Sequence, residues 1–317
     1  MLTMDLIDRA SEFLKTRVLH TPLEYSPELS DRMGVPVWLK LEFLQWTGSF
    51  KLRGAFFRLA NLTDEERNLG LVTCSAGNHG KAVAYAAREL GIDATIYVPN
   101  TVDEAKFRGI LALGSKCIKS EFPGYDETQD FAKREAARLG KPFIHAFDDP
   151  YVMAGNGGSL AAEVLADLPE TRTFLIPVGG GGLGAGFVFF VKERLGRSRI
   201  VGCQHRDSPA LQLSLKRGAA VTNMPYAETL ASGIEGGIGE QTFAVIKDRI
   251  DGVALVTETE IFESVRWMLD RHQYLIEPSA APVIAACLTG KIEIAEGPAV
   301  LVLSGRNISL SALKTIL

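Results

Sequence analysis

Four short stretches of the 317-residue chain hold residue types that could do chemistry together. The first is Thr47-Gly48-Ser49-Phe50-Lys51-Leu52-Arg53-Gly54-Ala55. A lysine amine is a nucleophile and a base only when neutral, so it must sit on a fixed element and be shielded from water. Phe50 and Leu52 flank Lys51 and can shield it. Gly48 allows a tight turn, and Ser49 is placed to cap the helix that follows. Such a lysine can form a Schiff base with a carbonyl group. A surface lysine at a helix start would look the same in isolation, so the other three stretches matter.

Ser75-Ala76-Gly77-Asn78-His79-Gly80 lies between an apolar run and a helical one. In a turn of that kind the backbone N–H groups and the helix dipole bind anions, an amino-acid carboxylate among them, and Asn78 can donate to an oxygen. Glycine and asparagine are also ordinary turn residues. Pro177-Val178-Gly179-Gly180-Gly181-Gly182-Leu183 places four consecutive glycines before a helix, a nest of N–H groups suited to a phosphate. A packing turn would not normally need four. Gly179, Gly181 and Gly184 also spell the dinucleotide fingerprint. That reading expects an acid after the next strand, and Arg199 to Cys203 runs into Gln204-His205-Arg206 instead. Leu303-Ser304-Gly305-Arg306-Asn307 closes the last apolar run, so Ser304 either points into a cleft at a strand end or caps a turn.

Positioning these stretches falls to an alternation of strands and helices. A helix is expected over residues 4–17, then a strand at Val35–Leu41 and a helix from Lys51 to about Leu62. Strands follow at Leu71–Cys74, Ala94–Val98 and Lys116–Lys119, with helices at Lys81–Leu90, Glu104–Leu113 and Asp126–Leu139. The second half repeats the theme with strands at Thr173–Val178, Arg199–Cys203, Ala254–Val256 and Ala299–Leu303. Helices there end at about Leu195 and span 258–270 and 278–288. The expected class is α/β, two open twisted parallel-sheet lobes with flanking helices and a ligand at the strand C-termini between them. The chain is 46% hydrophobic and 23% charged, an ordinary globular profile. A net charge of −4 offers no basic patch, which argues against nucleic acid as a partner. Four scattered cysteines fit free thiols of a reducing cytosol. The acidic, amphipathic start resembles no signal peptide, and no apolar run approaches the ~18 residues of a membrane span.

The run Lys40 to Ala55 resembles the cofactor-lysine signature of the pyridoxal-phosphate enzymes of the threonine/serine dehydratase family, of fold type II. The resemblance extends along essentially the whole chain in the family's order: Arg17 to Leu23, the lysine stretch, the Asn-His turn, the tetraglycine, Glu277-Pro278-Ser279-Ala280 and the Ser304 loop. It implies pyridoxal 5'-phosphate in a cleft between a large domain of residues 1–69 and 148–317 and a small domain of residues 70–147. It implies that Lys51 is catalytic and carries the cofactor, which Phe50, Asn78, Gly179, Gly180, Gly181, Gly182, Leu183 and Ser304 also bind. Asn78 would meet the phenolic oxygen, the glycines the phosphate, and Ser304 the pyridine nitrogen. Ser75, Ala76, Gly77, Asn78 and His79 would hold the substrate. The implied reaction removes the β-hydroxyl of L-threonine or L-serine, with Lys51 taking the Cα proton, and yields a 2-keto acid and ammonia. A homodimer in the cytoplasm is implied as well.

Several positions depart from the family pattern. Ala76 stands where serine racemases carry a second acid/base serine, which favours dehydration over racemisation. Gln204 and Ala210 stand where some members hold a divalent cation with carboxylates, so no metal site is expected. Lys81, Asn156 and Arg306 also differ from the usual residues and bear on substrate choice. The regulatory domain that some threonine dehydratases carry after the serine loop is not expected. The alternatives are a racemase or β-replacement enzyme of the same fold, a dehydratase of β-hydroxyaspartate or phenylserine, and a non-catalytic binding protein.

Overall fold

The computed structural model describes residues 1–225 and 227–317. Its nine strands are β1 (Leu23–Tyr25), β2 (Val37–Lys40), β3 (Leu71–Cys74), β4 (Ala94–Val98), β5 (Lys116–Lys119), β6 (Thr173–Pro177), β7 (Arg199–His205), β8 (Gly252–Val256) and β9 (Ala299–Val302). They form a six-stranded sheet in the order β1-β2-β9-β6-β7-β8 and a three-stranded sheet in the order β3-β4-β5. All pairings are parallel except β1 with β2, where Leu23 faces Lys40. The strands of the smaller sheet all fall within residues 70–147.

The central strands are apolar without alternation because both faces of the sheet are covered. On β6, Leu175 packs into one core with Leu301 and Leu39. Its neighbours Phe174 and Ile176 pack into the opposite core with Val300 and Val302 of β9. Alternate side chains of one strand thus serve two cores.

Three local features depart from the expectation. Thr21-Pro22-Leu23 reads as a break, yet Leu23–Tyr25 adds an antiparallel edge strand. Ser49 does not cap the lysine helix: that helix, Lys51–Ala60, begins after Phe50 with no side-chain cap, and the Ser49 Oγ is buried with no described partner. Seven α-helices among the described residues lie outside the expectation, at Pro27–Met33, Asp64–Leu69, Pro150–Met153, Ser159–Asp167, Ala210–Arg217, Glu240–Ile246 and Leu310–Ile316. Each has nine residues or fewer, too few turns for an apolar period to stand out.

A π-helical turn at Ala154–Gly158 joins the helices Pro150–Met153 and Ser159–Asp167. Its glycines allow backbone contact on two sides. A Cβ on Gly155 would stand 2.7 Å from Gly54 Cα and 2.8 Å from Arg53 O, and one on Gly157 would stand 2.0 Å from Leu183 O. Asn156 Oδ1 accepts from Gly54 N–H at 2.8 Å. The turn therefore clamps the lysine helix to the helix Gly182–Leu195.

Beneath the lysine helix lies a buried ionic cluster. Arg53 donates to both Glu42 oxygens at 2.8 and 2.7 Å and pairs with Glu163 at 2.9 Å. Lys40 Nζ lies 2.7 Å from Glu163 and 3.2 Å from Asp167. These carboxylates hold the Arg53 guanidinium in its charged form against burial. The cluster ties the lysine helix to β2.

Candidate active site

Lys51 is the first residue of its helix and is half-buried. Its Nζ donates to Ala146 O at 2.7 Å. The Phe50 ring centroid is 5.3 Å from Nζ and that of Phe147 is 6.0 Å away. Burial pushes the Lys51 ammonium down to about 8, while the Glu277 charge acts in the opposite direction. Two histidines nearby carry no charge at neutral pH: burial and the Lys51 charge take His79 down to about 3, and burial, with Lys133 and Lys51, takes His145 to about 4.

The loop carrying Lys51 is stitched to the end of β9. Phe50 N–H donates to Ser304 O at 3.1 Å and Arg306 N–H to Gly48 O at 2.9 Å, with Gly48 at φ +77°. Ser49 and Gly305 face each other as an isolated bridge. The sheet geometry therefore delivers Ser304 beside the lysine. Its side chain is 4% exposed, and its Oγ donates to no described residue.

Phe147 joins the lysine to the glycine run. A Cβ on Gly180 would lie 2.4 Å from Phe147 Cδ1, and one on Gly182 would lie 2.9 Å from Phe147 Cα. Gly181 takes φ +92°, and Gly180 O accepts from Thr242 Oγ1 at 2.8 Å and from Gly239 N–H at 3.2 Å. No side chain caps the helix Gly182–Leu195, so the N–H groups of Gly179 to Gly182 and of Leu183 point to no described partner. The result is an anion nest on a 14-residue helix. Gly184, the third glycine of the fingerprint pattern, has room for a side chain. A Cβ there would meet side-chain methyls alone, Ile246 Cδ1 at 3.3 Å, Ile176 Cδ1 at 3.6 Å and Val178 Cγ2 at 3.7 Å.

The Asn-His turn ends β3. Ser75 N–H donates to Tyr97 O at 3.1 Å, and Ser75 Oγ accepts from Gly77 N–H at 3.2 Å. Gly80 lies so close to Ser75 that a Cβ would stand 2.2 Å from Ser75 O. The helix Asn78–Leu90 has no side-chain cap, which leaves the first-turn N–H groups of Asn78, His79 and Gly80 without described partners. Ala76, Gly77 and Asn78 are half-buried. The His79 imidazole faces inward, 3% exposed, with Nε2 3.1 Å from Thr73 Oγ1. It braces β3, and only its backbone is presented at the turn.

Glu277 is the residue that the sequence did not single out for a role. It is 6% exposed and accepts from Asn78 Nδ2 at 2.6 Å. Burial pushes its carboxyl up to about 7, against the Asn78 and Asn307 N–H groups and the charges of Lys106 and Lys81. The Glu277-Pro278-Ser279-Ala280 run was the available signal, and nothing in it announces a buried acid. Gln204, by contrast, is occupied structurally: Nε2 donates to Val178 O at 3.2 Å and Oε1 accepts from Gln212 N–H at 3.1 Å. Among the described residues, His20, Glu163 and Asp167 bring ligand atoms within 4.8 Å of one another, but Lys40 already pairs with both of those carboxylates.

The sequence model of the family described as "Pyridoxal-phosphate dependent enzyme" matches residues 14–305. The chain is 37% identical to the L-threonine ammonia-lyase of Thermotoga maritima over 318 residues, covering 100% of this chain and 78% of that protein. It is 36% identical to the L-threonine ammonia-lyase of Geobacter sulfurreducens with the same coverage. Among solved structures, maize serine racemase superposes with a TM-score of 0.93 at 29% identity, covering 99% and 96% of the two chains. The processed form of threonine deaminase isoform 2 from Solanum lycopersicum superposes with a TM-score of 0.90 at 33% identity, covering 99% and 87%.

Proposed function

The chain belongs to the pyridoxal-phosphate dependent enzymes, and within that family we propose that it is an ammonia-lyase. It eliminates the β-hydroxyl of a small β-hydroxy amino acid such as L-threonine or L-serine and releases a 2-keto acid and ammonia. The supporting observation is the convergence on Phe147: a lysine amine poised near neutrality on one side and an unpartnered glycine nest on the other.

The residues fit the cofactor. Lys51 Nζ is the attachment point for its aldehyde carbon. The N–H groups from Gly179 to Leu183 suit its phosphate. Ser304 is a buried residue whose Oγ has no described hydrogen-bond partner, which suits its ring nitrogen, and Phe50 flanks Lys51. Asn78 has one amide N–H on Glu277 and a second with no described partner, which suits the phenolic oxygen. When bound, the cofactor supplies an electron sink for charge at the substrate Cα.

The chain's own groups do the rest. The first-turn N–H groups at Asn78, His79 and Gly80, with Ser75, Ala76 and Gly77 beside them, hold the substrate carboxylate. Lys51 Nζ, freed when substrate takes its place, removes the Cα proton. Its lowered pKa, about 8, makes about a tenth of it neutral at pH 7, far more than of an ordinary lysine. Neutral His79 and His145 add no competing positive charge. Ala76 offers no proton donor at its position, so elimination is favoured over inversion. Residues 70–147, with their own sheet, form the small domain in this reading. The family likeness extends it to a homodimer in the cytoplasm; no helix among the described residues is long and apolar enough to cross a membrane.

The test is 2-keto-acid release from a panel of L- and D-β-hydroxy amino acids, with the visible absorbance of the same cofactor-loaded sample. Turnover of L-threonine or L-serine is expected. A loaded protein that releases keto acid from no member of the panel would overturn the ammonia-lyase assignment while leaving the cofactor site intact.

A further inference from the structure

The Asn78 amide is held by a neighbour at each end. It is the third member of a chain of four side chains, Lys81, Asn307, Asn78 and Glu277, drawn from the Asn-His turn helix, the loop after β9 and the Glu277 run. Lys81 Nζ donates to Asn307 Oδ1 at 2.9 Å. Asn307 Nδ2 donates to Thr47 O at 2.8 Å and to Asn78 Oδ1 at 2.6 Å. Asn78 Nδ2 donates to Glu277 Oε1 at 2.6 Å.

The direction of every bond follows from the chemistry of the two ends. An ammonium only donates, and a backbone carbonyl only accepts. Lys81 on one side and Thr47 O on the other therefore leave the Asn307 amide a single orientation. With both Asn307 N–H bonds spoken for, the group facing it on Asn78 must be the acceptor Oδ1. The Asn78 NH₂ is then forced toward Glu277, which also accepts from the Asn307 backbone N–H. The backbone leaves no slack around this chain. A Cβ on Gly48 would stand 2.9 Å from Asn307 Oδ1, and one on Gly305 would stand 2.5 Å from Glu277 Oε1 and 3.3 Å from Asn78 Nδ2.

We propose that Lys81 is a positioning residue for the cofactor: acting through Asn307, it fixes the Asn78 amide so that an N–H, and not the carbonyl, faces the cofactor's phenolic oxygen. The proposal rests on the cofactor site described above. Without Lys81 the Asn307 Oδ1 loses its donor and only Thr47 O still orients that amide, so Asn307 and Asn78 are held less firmly and the Asn78 N–H is no longer fixed against the phenolic oxygen. A neighbouring cation that merely sets the local field would not have this effect, and Lys106 provides the comparison, since its charge is felt by both Lys81 and Glu277.

The experiment measures cofactor affinity by fluorescence titration of apo-protein, and the visible circular dichroism of the loaded protein, for wild type, Lys81→Met, Lys81→Gln and Lys106→Met. Lys81→Met should weaken cofactor binding roughly tenfold, the scale of one lost charge-assisted hydrogen bond, and should reduce the visible dichroism. Lys81→Gln keeps a donor for Asn307 Oδ1 and should restore both, and Lys106→Met should change neither. Wild-type values for Lys81→Met, no rescue by glutamine, or an equal loss in Lys106→Met would each overturn the proposal. A wild-type protein that shows no visible cofactor band at all would overturn the site itself and this inference with it.

Discussion

Lys51 Nζ and the carbonyl oxygen of Ala146 lie 2.7 Å apart although 95 positions separate them in the chain. That bond crosses from the six-stranded lobe to the segment that leaves the three-stranded one, and it holds the amine in place before any cofactor arrives.

The first prediction concerns the charge on that amine. Only neutral Lys51 can attack a carbonyl, and burial lowers its pKa from 10.5 to about 8. Uptake of pyridoxal phosphate by apo-protein should therefore quicken as pH rises and level off above about 8. The Glu277 carboxylate raises the Lys51 pKa, so Glu277→Gln should move the midpoint to lower pH. Stopped-flow absorbance across a pH series would show it; a midpoint near that of an ordinary exposed lysine would contradict the lowered value.

Two glycines of one motif should behave oppositely. Gly179→Ala would push a methyl to 2.5 Å from Gly233 O, while Gly184→Ala meets only side-chain methyls, the nearest at 3.3 Å. Gly179→Ala should weaken cofactor binding at least about tenfold, as a displaced phosphate loses hydrogen bonds of ~1.5–3 kcal/mol each. Gly184→Ala should bind as wild type. A dinucleotide site would show the reverse at the second position, because its third glycine is needed for close packing. Cofactor titration of the two variants decides.

Gly155→Ala should destabilise the fold. Its methyl would meet Gly54 Cα at 2.7 Å and Arg53 O at 2.8 Å, both backbone atoms of the lysine helix. Overpacking of this kind costs ~1–3 kcal/mol or more. Gly252→Ala, with nothing within 4 Å, serves as the comparison and should change stability little. Urea titrations of both apo-proteins measure the difference, and equal midpoints would mean that the clamp between helix and π-turn yields easily.

Ala76→Ser should add inversion to elimination. Residue 76 is half-buried at the turn beside Asn78, and a hydroxyl there would supply the proton donor that alanine lacks. Chiral chromatography of L-serine incubated with the loaded variant should detect D-serine that the wild type does not make. If none forms, residue 76 alone does not decide between the two outcomes.

Much of this site was legible because its parts are local. Lys51, the Asn-His turn and the tetraglycine each announce themselves through residue types within a few positions, and the central strands through unbroken apolar runs. The illegible parts are those that only the folded chain brings together. Glu277 looks like any acid before a proline until β9 and the Asn-His helix enclose it. Lys81 looks like a solvated helix residue until Asn307 arrives from the far end of the chain. Ser49 satisfies the local rule for a helix cap, yet its backbone is taken by Gly305, and the tertiary pairing wins over the local preference. Arg53, unmarked in the sequence, turns out buried and held by the carboxylates of two elements, Glu42 and Glu163.

The stitching of Gly48, Ser49 and Phe50 to Ser304, Gly305 and Arg306 has a consequence for biogenesis. Lys51 emerges early from the ribosome, but the backbone bonds that hold its loop to Ser304, Gly305 and Arg306 cannot form until the residues after β9 have been synthesised. The loop that orders Lys51 is therefore complete only once Arg306 has been translated.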